Sequence, residues 1–185
     1  MPPVRPASLK VRALQWLAQR EHSRLELRDK LLRLLQRSAR SAADGADSSD
    51  GVVRAAADAS DGVDPAAEVD AVLLWLAEHG HLSDARFTES RVHARQARFG
   101  NRRIQQELQQ HGVRLDADAR QLLQQTELAR ASEVWRRKYG TPAADAAGRV
   151  RQLRFLVGRG FSMEVIRKVM QAGDGRPEGV DSDPD

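Results

Sequence analysis

Residues 79–108 read HGHLSDARFTESRVHARQARFGNRRIQQEL, and their reading decides the fold. Gly80 follows Val69, Val72, Leu73 and Leu76, spaced as one apolar helix face, so it predicts a left-handed C-terminal cap. Ser83 is placed to cap the next helix, which carries Arg91, Arg95 and Arg98 at i, i+4 and i+7, on one face. Gly100-Asn101 is turn chemistry, so a further helix is expected from Asn101 with Arg102 and Arg103 in its first turn. Arginine at a helix N-terminus opposes the helix dipole, so helix stability does not account for these two. Any one of the five arginines reads most simply as a solvated side chain, with Glu89 and Glu107 as partners. Taken together they predict an anion-binding surface.

Outward from this stretch the chain alternates helical periodicity with short turns. Leu9, Ala13, Trp16 and Leu17 form one stripe. Ser23-Arg24-Leu25-Glu26 is a capping box, opening a helix that buries Leu27, Leu31, Leu34 and Leu35. Residues 38–65 are rich in Ala, Ser, Asp and Gly, bury too little apolar surface to offset ordering entropy, and are expected to be a disordered acidic insertion. Helix resumes from 66 to about 79. Beyond Gly112, Asp116 or Asp118 caps a long helix carrying Leu122, Leu123, Leu128, Ala131 and Trp135, which ends in Arg136-Arg137-Lys138. Thr141-Pro142 is expected to start another, with Ala146, Val150, Leu153 and Val157 inward and Arg149, Arg151 and Arg154 outward. Ser162 opens the last, with Val165, Ile166, Val169 and Met170.

Composition narrows the function classes. The chain has 185 residues, 30% charged and 4% aromatic, and no cysteine, so disulfides and thiolate metal sites are excluded and a reducing, cytoplasmic setting is expected. No run reaches the length of a membrane span. The formal charge of +4 is segregated: residues 38–65 and 171–185 each carry −4, leaving +12 on the rest. A body this basic attracts polyanions or acidic protein surfaces in a salt-dependent way. With few aromatics, phosphate contact is expected to outweigh base stacking. The five histidines, His22, His79, His81, His93 and His111, are scattered, and no spacing marks a metal, cofactor or catalytic set.

Three helix-turn-helix stretches align on Ser23, Gly100 and Ser162, with inward residues four and eight positions later: Leu27 and Leu31, Ile104 and Leu108, Ile166 and Met170. Leu17, Ala94 and Leu156 stand six positions before. A recurring pattern of this kind predicts an all-α, elongated tandem repeat of three-helix units. The expected units are 9–80 with the insertion at 38–65, then 81–139, then a truncated third at 140–172. Disordered ends are expected at 1–8 and 173–185.

These residues also carry a resemblance. ALQWLAQREHSRLELRDKL (13–31), VLLWLAEHGHLSDARF (72–87) and RFLVGRGFSMEVIRKV (154–169) are similar, in order, to the RecX family of recombinase regulators. The chain departs from the family pattern in its Asp/Ala/Ser insertion and in His81, where an aromatic is common. The resemblance implies a cytoplasmic, non-enzymatic modulator that binds RecA and lodges along the RecA–single-stranded-DNA filament, curbing strand exchange, ATPase and coprotease activity. RecA and DNA phosphates are the expected partners, with no membrane and no cofactor, and the protein is expected to act as a monomer. The binding residues expected are Arg91, Arg95, Arg98, Arg102 and Arg103, then Arg24, Arg28, Arg151, Arg154 and Arg159, since a planar guanidinium grips phosphate or carboxylate with two bonds. The competing reading is a sequence-specific helix-turn-helix DNA binder with 162–170 in the major groove, although Glu164, Arg167 and Lys168 offer no base-reading amides. A third is a helical scaffold that binds only protein.

Overall fold

A computed structural model of the chain describes residues 8–45 and 64–173, and all regular structure there is α-helical. The helices are α1 (Leu9–Leu17), α2 (Arg24–Gly45), α3 (Pro65–Glu78), α4 (Asp84–Gln96), α5 (Asn101–Gln110), α6 (Ala117–Tyr139), α7 (Ala146–Gly158) and α8 (Met163–Gly173). No helix among the described residues is long and apolar enough to cross a membrane. The chain divides into two compact units, Met1–Phe87 and Thr88–Asp185, the boundary falling inside α4.

In the first unit each helix start follows from a short polar side chain. The Ser8 hydroxyl accepts from Val11 N at 3.4 Å, Ser23 from Glu26 N at 3.1 Å, and Asp64 from Ala66 N at 3.0 Å with Pro65 as the first helical residue. The expected capping box is only half made. The Glu26 carboxylate turns away to Arg20 and to His22 Nδ1, the latter at 3.2 Å. The core joins Ala13, Leu27, Leu31, Val69, Val72, Leu73, Leu76 and Leu82, with Trp16, Leu17, Leu35 and Trp75 at its edge. Each leucine fully removed from water there contributes roughly 2 kcal/mol. Gly80, at φ +71°, closes α3 as its position predicts. Helix α2 continues to Gly45, eight residues into the expected insertion, because extending an established helix through Ala39, Ala42 and Ala43 is far cheaper than nucleating one. Of the expected disordered segments, Asp64 and Pro65 start α3, Ser8 caps α1 and Gly173 ends α8, while 46–63, 1–7 and 174–185 lie outside the described residues.

In the second unit α6 has two sets of partners. Its C-terminal half contributes Ala131, Val134 and Trp135 to a core with Leu156, Phe161, Ile166 and Val169 of the α7–α8 segment. Its N-terminal half supports α5: the Leu123 carbonyl accepts from Asn101 Nδ2 at 3.0 Å, and Glu127 accepts from Asn101 N at 3.0 Å. The boundary expected at 139/140 therefore falls at the end of a helix that shares its core with α7 and α8. Helix α7 begins at Ala146, not at Thr141-Pro142, because Asp145 caps it, accepting from Gly148 N at 2.6 Å. Its inward stripe is Gly148, Gln152 and Leu156, whereas Val150 and Val157 are 45% and 43% exposed. Gln152 can be buried because Trp135 Nε1 donates to it at 3.3 Å and it donates to the Thr141 carbonyl at 3.1 Å.

The α4–α5 turn docks on the α7–α8 turn through a close backbone approach. Gly100 N donates to the Arg159 carbonyl at 2.9 Å and Arg102 N to the Gly160 carbonyl at 3.1 Å. A methyl on Gly100 would overlap the Gly160 carbonyl and Phe161 N, and one on Gly160, at φ +82°, would lie 2.6 Å from Arg103 Cβ. Arg130 locks the same turn from beneath. It donates to the carbonyls of Gln96 at 3.2 Å, Phe99 at 2.9 Å and Leu123 at 3.0 Å, and to the Asn101 side chain. Burial pushes its pKa down from the ordinary arginine value, and the neighbouring Glu127 charge opposes that shift.

Gly100→Ala should cost the second unit about 3 kcal/mol in urea unfolding through overpacking. Gly158→Ala, whose added methyl meets nothing within 4 Å, should be neutral or stabilising by up to about 1 kcal/mol. Arg130→Met, which strips several buried acceptors of their donor, should cost about 3 kcal/mol. In the first unit, burial lowers the pKa of His22 below 6.5 despite Glu26. Burial would raise that of Glu26, but the bonds from Arg20 and His22 prevail and hold it at about 2. The unfolded chain therefore binds more protons in both cases, so stability falls as pH drops, first below 6.5 through His22 and then below 4.5 through Glu26. In urea titrations across this range His22→Gln should abolish the first decline and keep the second.

Candidate functional site

Two of the five leading arginines share one carboxylate. Arg95 donates to Glu107 Oε1 through Nε at 3.1 Å and Nη2 at 2.9 Å, and Arg91 Nε lies 3.3 Å from the same oxygen. Arg91 Nη2 also donates to His111 Nε2 at 2.9 Å, which makes that ring nitrogen an acceptor. One carboxylate thus serves two guanidinium groups, and both are partly buried. Arg98 does not continue their stripe, because α4 ends at Gln96 where Arg130 takes its carbonyl. The three-arginine face expected from the spacing is therefore a pair and a turn residue.

Arg98 instead joins a cluster centred on Phe99. Guanidinium carbons lie over this ring at 4.6 Å from Arg103, 5.5 Å from Arg159, 5.8 Å from Arg95 and 5.9 Å from Arg98. Each such contact contributes about 0.5–1 kcal/mol where exposed and orients the cation without cancelling its charge. The bonds that fix the group run to carbonyls: Arg103 Nη1 to Gly158 at 3.3 Å and Arg159 Nη1 to Arg98 at 3.3 Å. Among the described residues, Arg98, Arg102, Arg103 and Arg159 have no carboxylate within 4.0 Å. Four like charges thus gather at two docked turns without a carboxylate to offset them. Beside it Arg95, Phe99, Arg103, Gln106 and Gln110 line an open cleft of about 500 Å³.

The N-terminus of α5 is not itself the anion site. Its first donors are already taken by Glu127 and by the Gly160 carbonyl, and the buried Glu127 carboxylate offsets the placing of Arg102 and Arg103 at the positive end of the helix dipole. The side chains of Arg102 and Arg103 point out from that turn and are exposed.

The second group of arginines divides by unit. In the first, Arg28 grips Asp70 with two bonds, Nε to Oδ1 at 2.6 Å and Nη2 to Oδ2 at 3.0 Å, which raises the arginine pKa and lowers that of Asp70. Arg24 is exposed, with its backbone N donating to Asp84 at 2.8 Å. In the second, Arg159 belongs to the Phe99 cluster, while Arg151 and Arg154 are exposed on α7. Sequence reasoning passed over Phe99, Asn101, Glu127 and Arg130. A usable signal existed for the first: Arg98-Phe99-Gly100 and Arg159-Gly160-Phe161 both set an arginine, an aromatic and a glycine together. Nothing in the sequence distinguishes Glu127 or Arg130 from exposed helical charges.

Comparison with known proteins agrees with this architecture. Residues 83–116 match the sequence profile of RecX, second three-helix domain, and residues 125–170 that of RecX, third three-helix domain. The latter segment takes in most of α6 with α7 and α8. The regulatory protein RecX of Ralstonia nicotianae is 42% identical over 174 residues, covering 93% of this chain and 92% of that one. That of Leptothrix cholodnii is 44% identical over 169 residues, covering 90% of each. The crystal structure of RecX from Lactobacillus salivarius superimposes with a TM-score of 0.57 at 16% identity, covering 90% of this chain and 94% of that one, a likeness of fold. With the fold, the three-helix segments and relatives above 40% identity along nearly the whole length in accord, the chain belongs to the RecX family of regulatory proteins.

Proposed function

We propose that this protein binds RecA and RecA–single-stranded-DNA filaments in the cytoplasm, without catalysis of its own, and inhibits strand exchange, ATPase and coprotease activity. The observation that carries the reading is the Phe99 cluster, where Arg98, Arg103 and Arg159 lie over the ring, with the exposed Arg102 beside them, and none of the four has a carboxylate within 4.0 Å among the described residues. Such a site can take filament phosphates or acidic side chains of RecA with the two-bond geometry guanidinium favours. Arg24, Arg151 and Arg154 supply further exposed cations. Arg28, Arg91 and Arg95 rank lower, since part of their charge is spent on Asp70 and Glu107. Repetition of helical units along one chain lets a single molecule touch more than one recombinase protomer, so inhibition is expected below stoichiometric ratios.

The test is the RecA ATPase rate on single-stranded DNA with substoichiometric protein, at several salt concentrations. The protein should inhibit, and Arg98→Ala/Arg103→Ala/Arg159→Ala should need at least about ten times more protein, a loss of roughly 1.4 kcal/mol or more. Arg91→Ala/Arg95→Ala should shift the curve less. Equal inhibition by the triple variant would remove the cluster from the interface. No inhibition by the unaltered protein, with preference for one duplex sequence over unrelated DNA, would replace this reading by the helix-turn-helix one.

A further inference from the structure

We infer that the protein holds an unpaired nucleic-acid strand along a row of alternating cations and rings in its second compact unit: Arg103, Phe99, Arg159, Phe155, Lys138 and Tyr139. Arg159 is the joint of the row, its guanidinium carbon 5.5 Å from the Phe99 centroid and 5.0 Å from that of Phe155. Arg103 extends it on one side, 4.6 Å from Phe99. Lys138 Nζ extends it on the other, 4.8 Å from Phe155 and 5.8 Å from Tyr139, and the last two rings meet edge to face at 5.5 Å. The elements involved are the α4–α5 turn, the start of α5, the end of α7 and the last turn of α6, with the Gly100–Gly160 contact holding the first three in register.

Two observations select this ligand. The chain has only eight aromatic residues, four Phe, three Trp and one Tyr, and three of them stand in this row, each half-buried with part of its surface open. Lys138 also differs from its neighbours: Arg136 and Arg137 are paired with Glu133 at 3.3 and 3.0 Å, whereas Lys138, like Arg103 and Arg159, has no carboxylate within 4.0 Å among the described residues. Cations ordered by rings offer their remaining N–H donors to phosphates, and the open part of each ring offers a surface to an unstacked base. A duplex keeps its bases inside and engages only the cations. An acidic protein segment likewise gains little from the rings. Such a row combines phosphate contact with stacking, because folding concentrates aromatics that composition shows as sparse.

The inference rests on reading the arginine cluster as an anion site, and it is tested without RecA, so its failure is separate from failure of the inhibition assay. Fluorescence anisotropy of the full-length protein with labelled oligothymidylate and with a hairpin duplex is measured across a salt series, with circular dichroism and thermal melts on each variant. Phe99→Leu and Phe155→Leu should each weaken single-strand binding about tenfold, with little change on the duplex and an unchanged salt slope. Lys138→Gln, at an exposed position, should lower the single-strand salt slope by about 0.7 whatever the leucine variants do to folding. Folded leucine variants that bind oligothymidylate as the parent does, or that lose duplex and single strand alike, would overturn the inference. So would a Lys138→Gln salt slope equal to the parent's, or displacement of the oligonucleotide by polyglutamate at equal charge as readily as by unlabelled strand, which would mark an acidic-protein site.

Discussion

Between Gly100 and Gly160 there is room for hydrogen atoms and for nothing larger, and that spacing lets two turns sixty residues apart share backbone hydrogen bonds. A helix start normally borrows a side chain to satisfy its first N–H groups. Gly100 has none to lend, so α5 takes its acceptors from the tertiary structure: the Gly160 carbonyl for Arg102 N and the Glu127 carboxylate for Asn101 N. Arg130 closes the other side by drawing off the carbonyls that end α4. Remove the close approach and Gly100 N and Arg102 N lose their acceptors together. The contact also brings Arg159 of one turn and Arg103 of the other onto the same ring.

A basic composition does not say which charges are available. Here the division is made by a few carboxylates: Glu107 satisfies Arg91 and Arg95, Asp70 satisfies Arg28, and Glu133 holds Arg136 and Arg137. Among the cations left over, Arg103, Arg159 and Lys138 are stacked on Phe99 or Phe155, and the first two are also fixed by carbonyls. An aromatic face orders a guanidinium without neutralising it, so the entropy of holding a long side chain is met in advance while its field still reaches solvent. That is a different use of arginine from the ion pairs of the first unit, where Arg20 and Arg28 chiefly tie elements together.

Much of the fold was legible because turn chemistry is local. Ser23, Gly100 and Ser162, aligned from sequence alone, each stand one residue before a helix, and Leu27, Leu31, Ile104, Leu108 and Ile166 are buried as their spacing requires. The alignment fails at Ala94, which is exposed. Failures came where polar groups act at a distance. The face of α7 is legible only at Leu153, which packs on the core; Gln152, not Val150 or Val157, is buried there, and only its bonds to Trp135 and Thr141 make that possible. Arg98 was placed on a helix that Arg130 terminates, and Arg130 acts from more than thirty positions away in the chain. Four of the five leading arginines, Arg91 apart, stand at or beside the Phe99 turn, but charge pairing, which is a tertiary property, decides which of them keep their charge.

Helix α6 runs for 23 residues, about 34 Å at 1.5 Å per residue, and is claimed by two sets of contacts. Near one end Leu123, Glu127 and Arg130 fix the α4–α5 turn, and near the other Ala131, Val134 and Trp135 complete the core of α7 and α8. No loop within the helix lets one set loosen while the other holds. The second unit should therefore open as one cooperative block, with the amides of the arginine-bearing turns and those of the C-terminal helices exchanging with solvent at a common rate.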